Sequence, residues 1–293
     1  MKFSHIALFV VLSAVIAFAS ASYVTLHHSE SAPVRERVYE RVMRTGTIRC
    51  GYALWNPSLI KDPNTGQFSG IVYDYVEALG RALNLKIDWT EETSWGDFPA
   101  SLESGRIDAM CAGVWPSAQR SRIIDYLKPI YYVPFMAYAR ANDTRFDNKI
   151  TTLNSSDFTL TMTDGETSSI VAYADFPNAK KVELPKMSEI STNFLNVVDN
   201  KADVYLNDLV SFYEFDEHNP GLLKIIPTAR PLRLFGVAVA IPREQEGFRR
   251  MLDNATTELL QTGVIEKVLQ KYEKHPNSLY RVSNPYEEPI IQK

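Results

Sequence analysis

Between Gly105 and Tyr132 the chain reads GRIDAMCAGVWPSAQRSRIIDYLKPIYY, and no other stretch restricts its fold as tightly. An apolar run (Ile107, Ala109, Met110, Cys111, Ala112) breaks at Gly113, passes a Trp-Pro-Ser turn and reaches Arg120 at the start of a short helix-like segment. A strand that opens through a loop onto an arginine outlines an anion site, because open α/β sheets bind ligands beyond the carboxyl ends of their strands. A guanidinium placed there takes a carboxylate through two parallel N–H bonds. The same pattern also describes a surface arginine in a loop, so the rest of the chain has to choose.

Strands and helices alternate on both sides of this stretch. Thr47–Gly51 reads as a strand, and Val72, Tyr75, Val76, Leu79 and Leu83 recur at helical spacing before a strand at Leu85–Trp89. Ser94 and Asp97 have the form of a capping box ahead of a helix through Leu102. Further on, strands are expected at Pro134–Arg140, Phe158–Met162, Lys180–Leu184 and Leu234–Ile241. Helices are expected at Ile170–Phe176, through Leu195 and Val198, and over Phe248–Tyr272 with a break at Thr262-Gly263. Alternation of this kind builds mainly parallel sheets covered by helices. At 293 residues, 45% of them hydrophobic, the chain suits about two domains.

The composition also excludes. A net charge of -4 gives no basic surface for nucleic acid. The chain carries no zinc-type Cys/His spacing, Walker A loop or GxSxG elbow, so no metal and no cofactor are expected. Lys2, the apolar run Ile6–Phe18 and Ala19-Ser20-Ala21 read as a signal peptide over residues 1–21. The run is shorter than the roughly 20 residues that cross a bilayer, although an uncleaved anchor stays open. Residues 22–44 are charged, either a tether or an added amphipathic helix.

SGRIDAMCAGVWPSAQRSRIIDYLKPIYY, from Ser104 to Tyr132, resembles the signature of the family 3 periplasmic solute-binding proteins of ABC transporters. Arg120 falls on the family's carboxylate-binding arginine. Gly70–Tyr75 matches a further motif whose Asp74 is structural. At Asp164-Gly165-Glu166-Thr167-Ser168 a strand meets a helix start, where backbone N–H groups hold anions. Gly165 and Thr167 match the family's Gly-Thr-Thr there, and Glu166 departs from it. Asn200–Leu209 (NKADVYLNDL) resembles the motif whose second aspartate, Asp208 here, pairs with the ligand's amino group. An aspartate at a strand end also caps helices, so that alternative stays open. Five residues before the arginine the family has Ser or Thr, and this chain has Trp115. With Trp55 and Tyr52 it could clamp an apolar or cationic part of a solute; the alternative is that Trp115 packs into its lobe.

The resemblance spans about Thr45–Tyr272 and implies an α/β, two-lobe periplasmic binding protein fold (type II, Venus-flytrap), each lobe a mainly parallel sheet flanked by helices. Its first lobe is 45–132 with a return segment 241–275, and its second is 133–240. Crossings are expected near Tyr132 and Ile241, with a surface tail over 276–293. The family order sets the strand at Thr47 beside the strand at Ile107. In the oxidising compartment of an exported protein that favours a Cys50–Cys111 disulfide over two buried thiols. The implied function is non-enzymatic. A monomeric periplasmic or extracellular protein captures a small carboxylate-bearing solute, an amino acid or similar compound, through Arg120, Asp208, Gly113, Gly165, Thr167 and Glu166. It then delivers the solute to an ABC transporter permease. Two alternatives remain: a dehydratase of arogenate or prephenate type with Glu166 as its acid, and a membrane-tethered sensor domain.

Overall fold

The computed structural model describes residues 15–18, 36–146 and 149–282. The expected signal peptide, apart from a helical turn at 15–18, lies outside the described residues, as do most of the tether and the tail beyond 282. No helix among the described residues is long and apolar enough to cross a membrane. The chain divides into two compact units, Met1–Arg37 and Val38–Lys293, and every element named below belongs to the second.

In chain order its strands are β1 (Thr47–Tyr52), β2 (Ile60–Lys61), β3 (Phe68–Ser69), β4 (Lys86–Glu92), β5 (Ala109–Val114), β6 (Ile124–Tyr126) and β7 (Tyr131–Arg140). There follow β8 (Thr159–Thr163), β9 (Lys180–Leu184), β10 (Val204–Asp208), β11 (Leu223–Ile225), β12 (Arg233–Pro242) and β13 (Tyr280–Arg281). The main sheet runs β4-β1-β5-β12-β7-β10-β8-β9. β1 pairs in parallel with β4 and β5 on one side, and β8 pairs in parallel with β10 and β9 on the other. These are the two lobes of a type II binding-protein fold.

All six residues of β5 are buried, which follows from its uninterrupted small and apolar sequence AMCAGV covered on both faces. The helix Ile71–Leu83 and the closing helices Glu246–Gln261 and Val264–Tyr272 cover one face; Phe98 and Leu102 of the helix Phe98–Ser104 cover the other. Cys50 and Cys111 form a disulfide, with Cα atoms 5.5 Å apart, that ties β1 to β5.

β7 and β12 are the two ten-residue strands, and they join the lobes. Tyr131–Phe135 pairs antiparallel with Arg233–Val237, while from Ala238 onward β12 pairs with β5 and β6. On β12 the change of partner falls between Val237 and Ala238. Residues 38–45, at the end of the segment expected as a tether or an added amphipathic helix, form a helix whose Val42 is fully buried in the first lobe's core. The start of the expected surface tail is anchored as well. Ser278 and Leu279 are buried, β13 pairs with Tyr131 and Tyr132, and Arg281 bonds Glu266 at 3.0 and 3.1 Å.

Candidate functional site

The carboxyl ends of β5 and β10 face each other across the lobes, and a cavity of about 50 Å3 lies between them. Trp55, Trp95, Gly113, Trp115 and Arg120 line it from the first lobe, and Glu166, Thr167, Ser168, Asn207 and Asp208 from the second. A larger chamber of about 490 Å3 adjoins it and shares Trp55, Trp95, Glu166 and Ile190.

Gly113, next to last in β5, has φ 83, and a Cβ there would meet Ser58 Oγ at 2.7 Å and Val237 Cγ1 at 2.8 Å. Only glycine lets the strand turn this tightly into the loop that carries Trp115 and Arg120. Across the cavity Gly165 has φ 76, and a Cβ on it would come 2.8 Å from the Cα of Gly96, so the two lobes touch backbone to backbone.

Arg120 spans this contact. Its Nη2 donates to the carbonyl of Trp95 at 2.9 Å and to that of Gly165 in the opposite lobe, and its guanidinium lies 5.2 Å from the Phe98 ring centroid. Its Nε and Nη1 have no partner among the described residues. Burial lowers its pKa, an effect that the nearby Tyr126 and Glu166 oppose.

Asp208 is 1% exposed and caps the helix Leu209–His218, accepting from Ser211 N at 2.9 Å and Ser211 Oγ at 2.7 Å. Capping and cavity lining coexist in this one residue. Ser211 Oγ in turn accepts from Trp55 Nε1 at 3.2 Å, so a first-lobe indole reaches the second-lobe carboxylate through one hydroxyl. Burial raises the pKa of Asp208. Glu166 caps the helix Thr167–Asp175 by backbone position and is 9% exposed. Burial pushes its carboxyl up to about 8, with the Asp208 carboxylate adding to the rise. Ser168 and Arg120 oppose the rise, and the balance favours the protonated form of Glu166.

The aromatic residues divide. Trp55, Trp95 and Trp115 wall the cavity edge to face, with Trp55 centroids 6.4 Å from Trp95 and 5.3 Å from Trp115. The Trp115 ring lies flat on Phe235 of β12, 4.9 Å away at 4°, and meets Phe135 of β7 edge-on at 5.7 Å, so it packs against the strands that join the lobes and also lines the cavity. Tyr52 is not brought to the site. It closes β1 against Phe68 and Trp89, and its hydroxyl accepts from Lys61 Nζ at 3.2 Å. Asn207, beside Asp208, was not among the expected site residues. Its one sequence signal is an amide between apolar residues and a carboxylate in VYLND.

The model of the bacterial extracellular solute-binding proteins, family 3, matches residues 48–275. Cyclohexadienyl dehydratase of Pseudomonas aeruginosa is 21% identical over 250 residues, which is 83% of this chain and 89% of that protein. Among solved structures, an ancestral amino acid-binding protein that is a precursor of cyclohexadienyl dehydratase superposes with a TM-score of 0.70 at 21% identity, over 82% of this chain and 100% of that one. The solute receptor for L-cysteine of Neisseria gonorrhoeae also reaches 0.70, at 16% identity, over 84% of this chain and 99% of that one. At such identities the structural likeness establishes the fold alone. With more than half its length matched by the family model, the chain belongs to the bacterial extracellular solute-binding proteins of family 3.

Proposed function

We propose that the protein captures a small zwitterionic solute bearing a carboxylate, an amino acid or a close relative, by closing its lobes around it, and presents the closed form to an ABC transporter permease. The observation that carries this reading is Arg120, a cation set between the lobes with N–H groups left over after it bridges Trp95 and Gly165. A carboxylate taken by those groups forms charge-assisted bonds. Asp208, on the opposite wall, supplies the anion for an ammonium group. Solutes lacking either charge leave the partner group buried and unpaired, which disfavours them strongly. Proteins of similar structure that bind amino acids support this class of solute.

A thermal-shift screen of amino acids and organic acids tests the proposal. A solute at a hundredfold excess over its dissociation constant stabilises the native state by about 2.7 kcal/mol. Arg120→Ala should then weaken binding by on the order of 10- to 100-fold, the worth of hydrogen bonds to a charged group. Unchanged affinity would remove Arg120 from the site.

Glu166 favours a second reading. A carboxyl raised to about 8 by burial, beside a carboxylate-binding arginine, is placed to hand its proton to a departing hydroxyl. In an arogenate- or prephenate-type substrate that hydroxyl leaves as water while the ring carboxylate leaves as carbon dioxide. The likeness to cyclohexadienyl dehydratase supports this reading. Formation of an aromatic product from either substrate, lost in Glu166→Gln, would establish it; intact binding without turnover would leave capture alone.

A further inference from the structure

Three residues that line the cavity carry a buried donor without a hydrogen-bond partner among the described residues: Trp115, Asn207 and, beside Glu166, Ser168. The indole Nε1 of Trp115 and the amide Nδ2 of Asn207 are shielded from solvent and have no hydrogen-bond partner among the described residues. Asn207 is 6% exposed overall. Buried polar groups without partners are rare in folded proteins, because each forfeits roughly 1–3 kcal/mol of hydration. The two residues come from opposite sides, Trp115 from the loop after β5 and Asn207 from β10, yet both line the same cavity of about 50 Å3. In so small a space an occupant that meets one wall meets the other. Both donors are fixed by packing: Trp115 lies flat on Phe235, and Asn207 is held in register opposite Met136 of β7.

We infer that Trp115 and Asn207 together recognise an acceptor oxygen of the solute other than the carboxylate taken by Arg120. The preferred solute class is therefore amino-acid-like compounds with a second oxygen function, a carbonyl, hydroxyl or further carboxyl, close to the charged head. The remainder of the solute extends into the chamber of about 490 Å3. Because the two donors come from opposite sides of the cavity, that oxygen is fully satisfied only when the lobes are closed. Solutes lacking it bind without completing the closed state, since a ligand shifts a conformational balance only by its differential affinity. In Trp115 the chain also regains a donor where relatives carry a hydroxyl, here from an indole edge.

This inference rests on the solute-binding reading, and one calorimetric experiment separates their failures. The probes are L-asparagine and L-leucine, which share the charged head and side-chain shape and differ in the carbonyl. Each is titrated into the full chain, into Trp115→Phe, into Asn207→Leu and into Arg120→Ala. Trp115→Phe keeps a ring on Phe235 and removes the N–H; Asn207→Leu keeps the volume and removes the amide. The parent should prefer asparagine. Each donor variant should lose about tenfold of that preference while leucine affinity changes less than about twofold. Equal changes for both probes, or no preference in the parent, would overturn the inference, while a loss of both probes in Arg120→Ala would keep the solute-binding reading. A parent that binds neither probe overturns the inference alone, and an Arg120→Ala that binds as the parent does overturns both.

Discussion

Two buried clusters of charge, one inside the first lobe and one between the lobes, are built on opposite principles. Asp108, fully buried, is paired to completion. It accepts from the backbone N–H of Arg49 at 2.7 Å, from the Arg49 side chain at 2.9 and 3.1 Å, and from Arg41 Nε at 3.0 Å, with Arg41 Nη2 also bonded to it. This node ties the helix Val38–Thr45, β1 and the start of β5 together. Between the lobes the charged groups do not neutralise one another. Arg120 spends its Nη2 on two backbone carbonyls, Asp208 is held by Ser211, and burial disfavours the ionised form of Glu166. The first arrangement has no bonding capacity left for a ligand and serves stability. The second keeps that capacity, which is what a binding site requires.

Removing one partner from each cluster should separate the two roles. Asp108→Ala leaves two guanidiniums without their shared carboxylate, and breaking a buried pair in this way costs about 3–5 kcal/mol. Denaturant unfolding should show that loss with solute affinity unchanged in the protein that remains folded. A variant as stable as the parent would dissolve the contrast.

Glu166→Gln tests the other cluster through pH. The folded-state pKa of about 8 lies above the unfolded value of 4.5, so the native protein holds more protons than the unfolded chain between those values. The stability this contributes is complete below about pH 4.5 and is lost as pH rises through about 8. The parent should therefore lose up to about 1.4 kcal/mol per pH unit within that window, and the glutamine variant should not. Parallel stability–pH curves for the two proteins would mean that Glu166 ionises as an ordinary surface carboxyl.

The smallest effect belongs to the rim. Lys186 in the second lobe bonds Asp97 in the first at 2.7 Å, but both side chains are largely exposed. Lys186→Ala should change solute affinity by less than about threefold at physiological salt, with the effect shrinking further as salt is raised. A larger change would make the rim a latch equal in weight to the buried cluster.

Much of the fold is legible in the sequence. Lys180–Leu184 is a strand to the residue, and the helical spacing of Val72, Tyr75, Val76, Leu79 and Leu83 marks the helix Ile71–Leu83. The helix expected from Ile170 begins instead at Thr167, since Thr167-Ser168-Ser169 looks like capping residues but lies within the first turn. The disulfide followed from strand order once the family resemblance supplied it. Site residues that lie on a recognisable motif, Arg120, Asp208, Gly113, Gly165 and Glu166, do reach one cavity. Tyr52 does not, because loop membership does not say which wall of a loop an aromatic ring will find.

By itself, then, the sequence determined the alternation of strands and helices, the two-lobe family and the positions of the charged candidates. These depend on local periodicity and on motif spacing. Only the tertiary structure decided that Trp115 lies on Phe235, 120 positions away, that Asn207 lines the same cavity, and that burial raises the Glu166 pKa. Each of these depends on which side chains distant in sequence exclude water together. Burial of that kind is a property of the closed packing of two lobes, and no run of neighbouring residues encodes it.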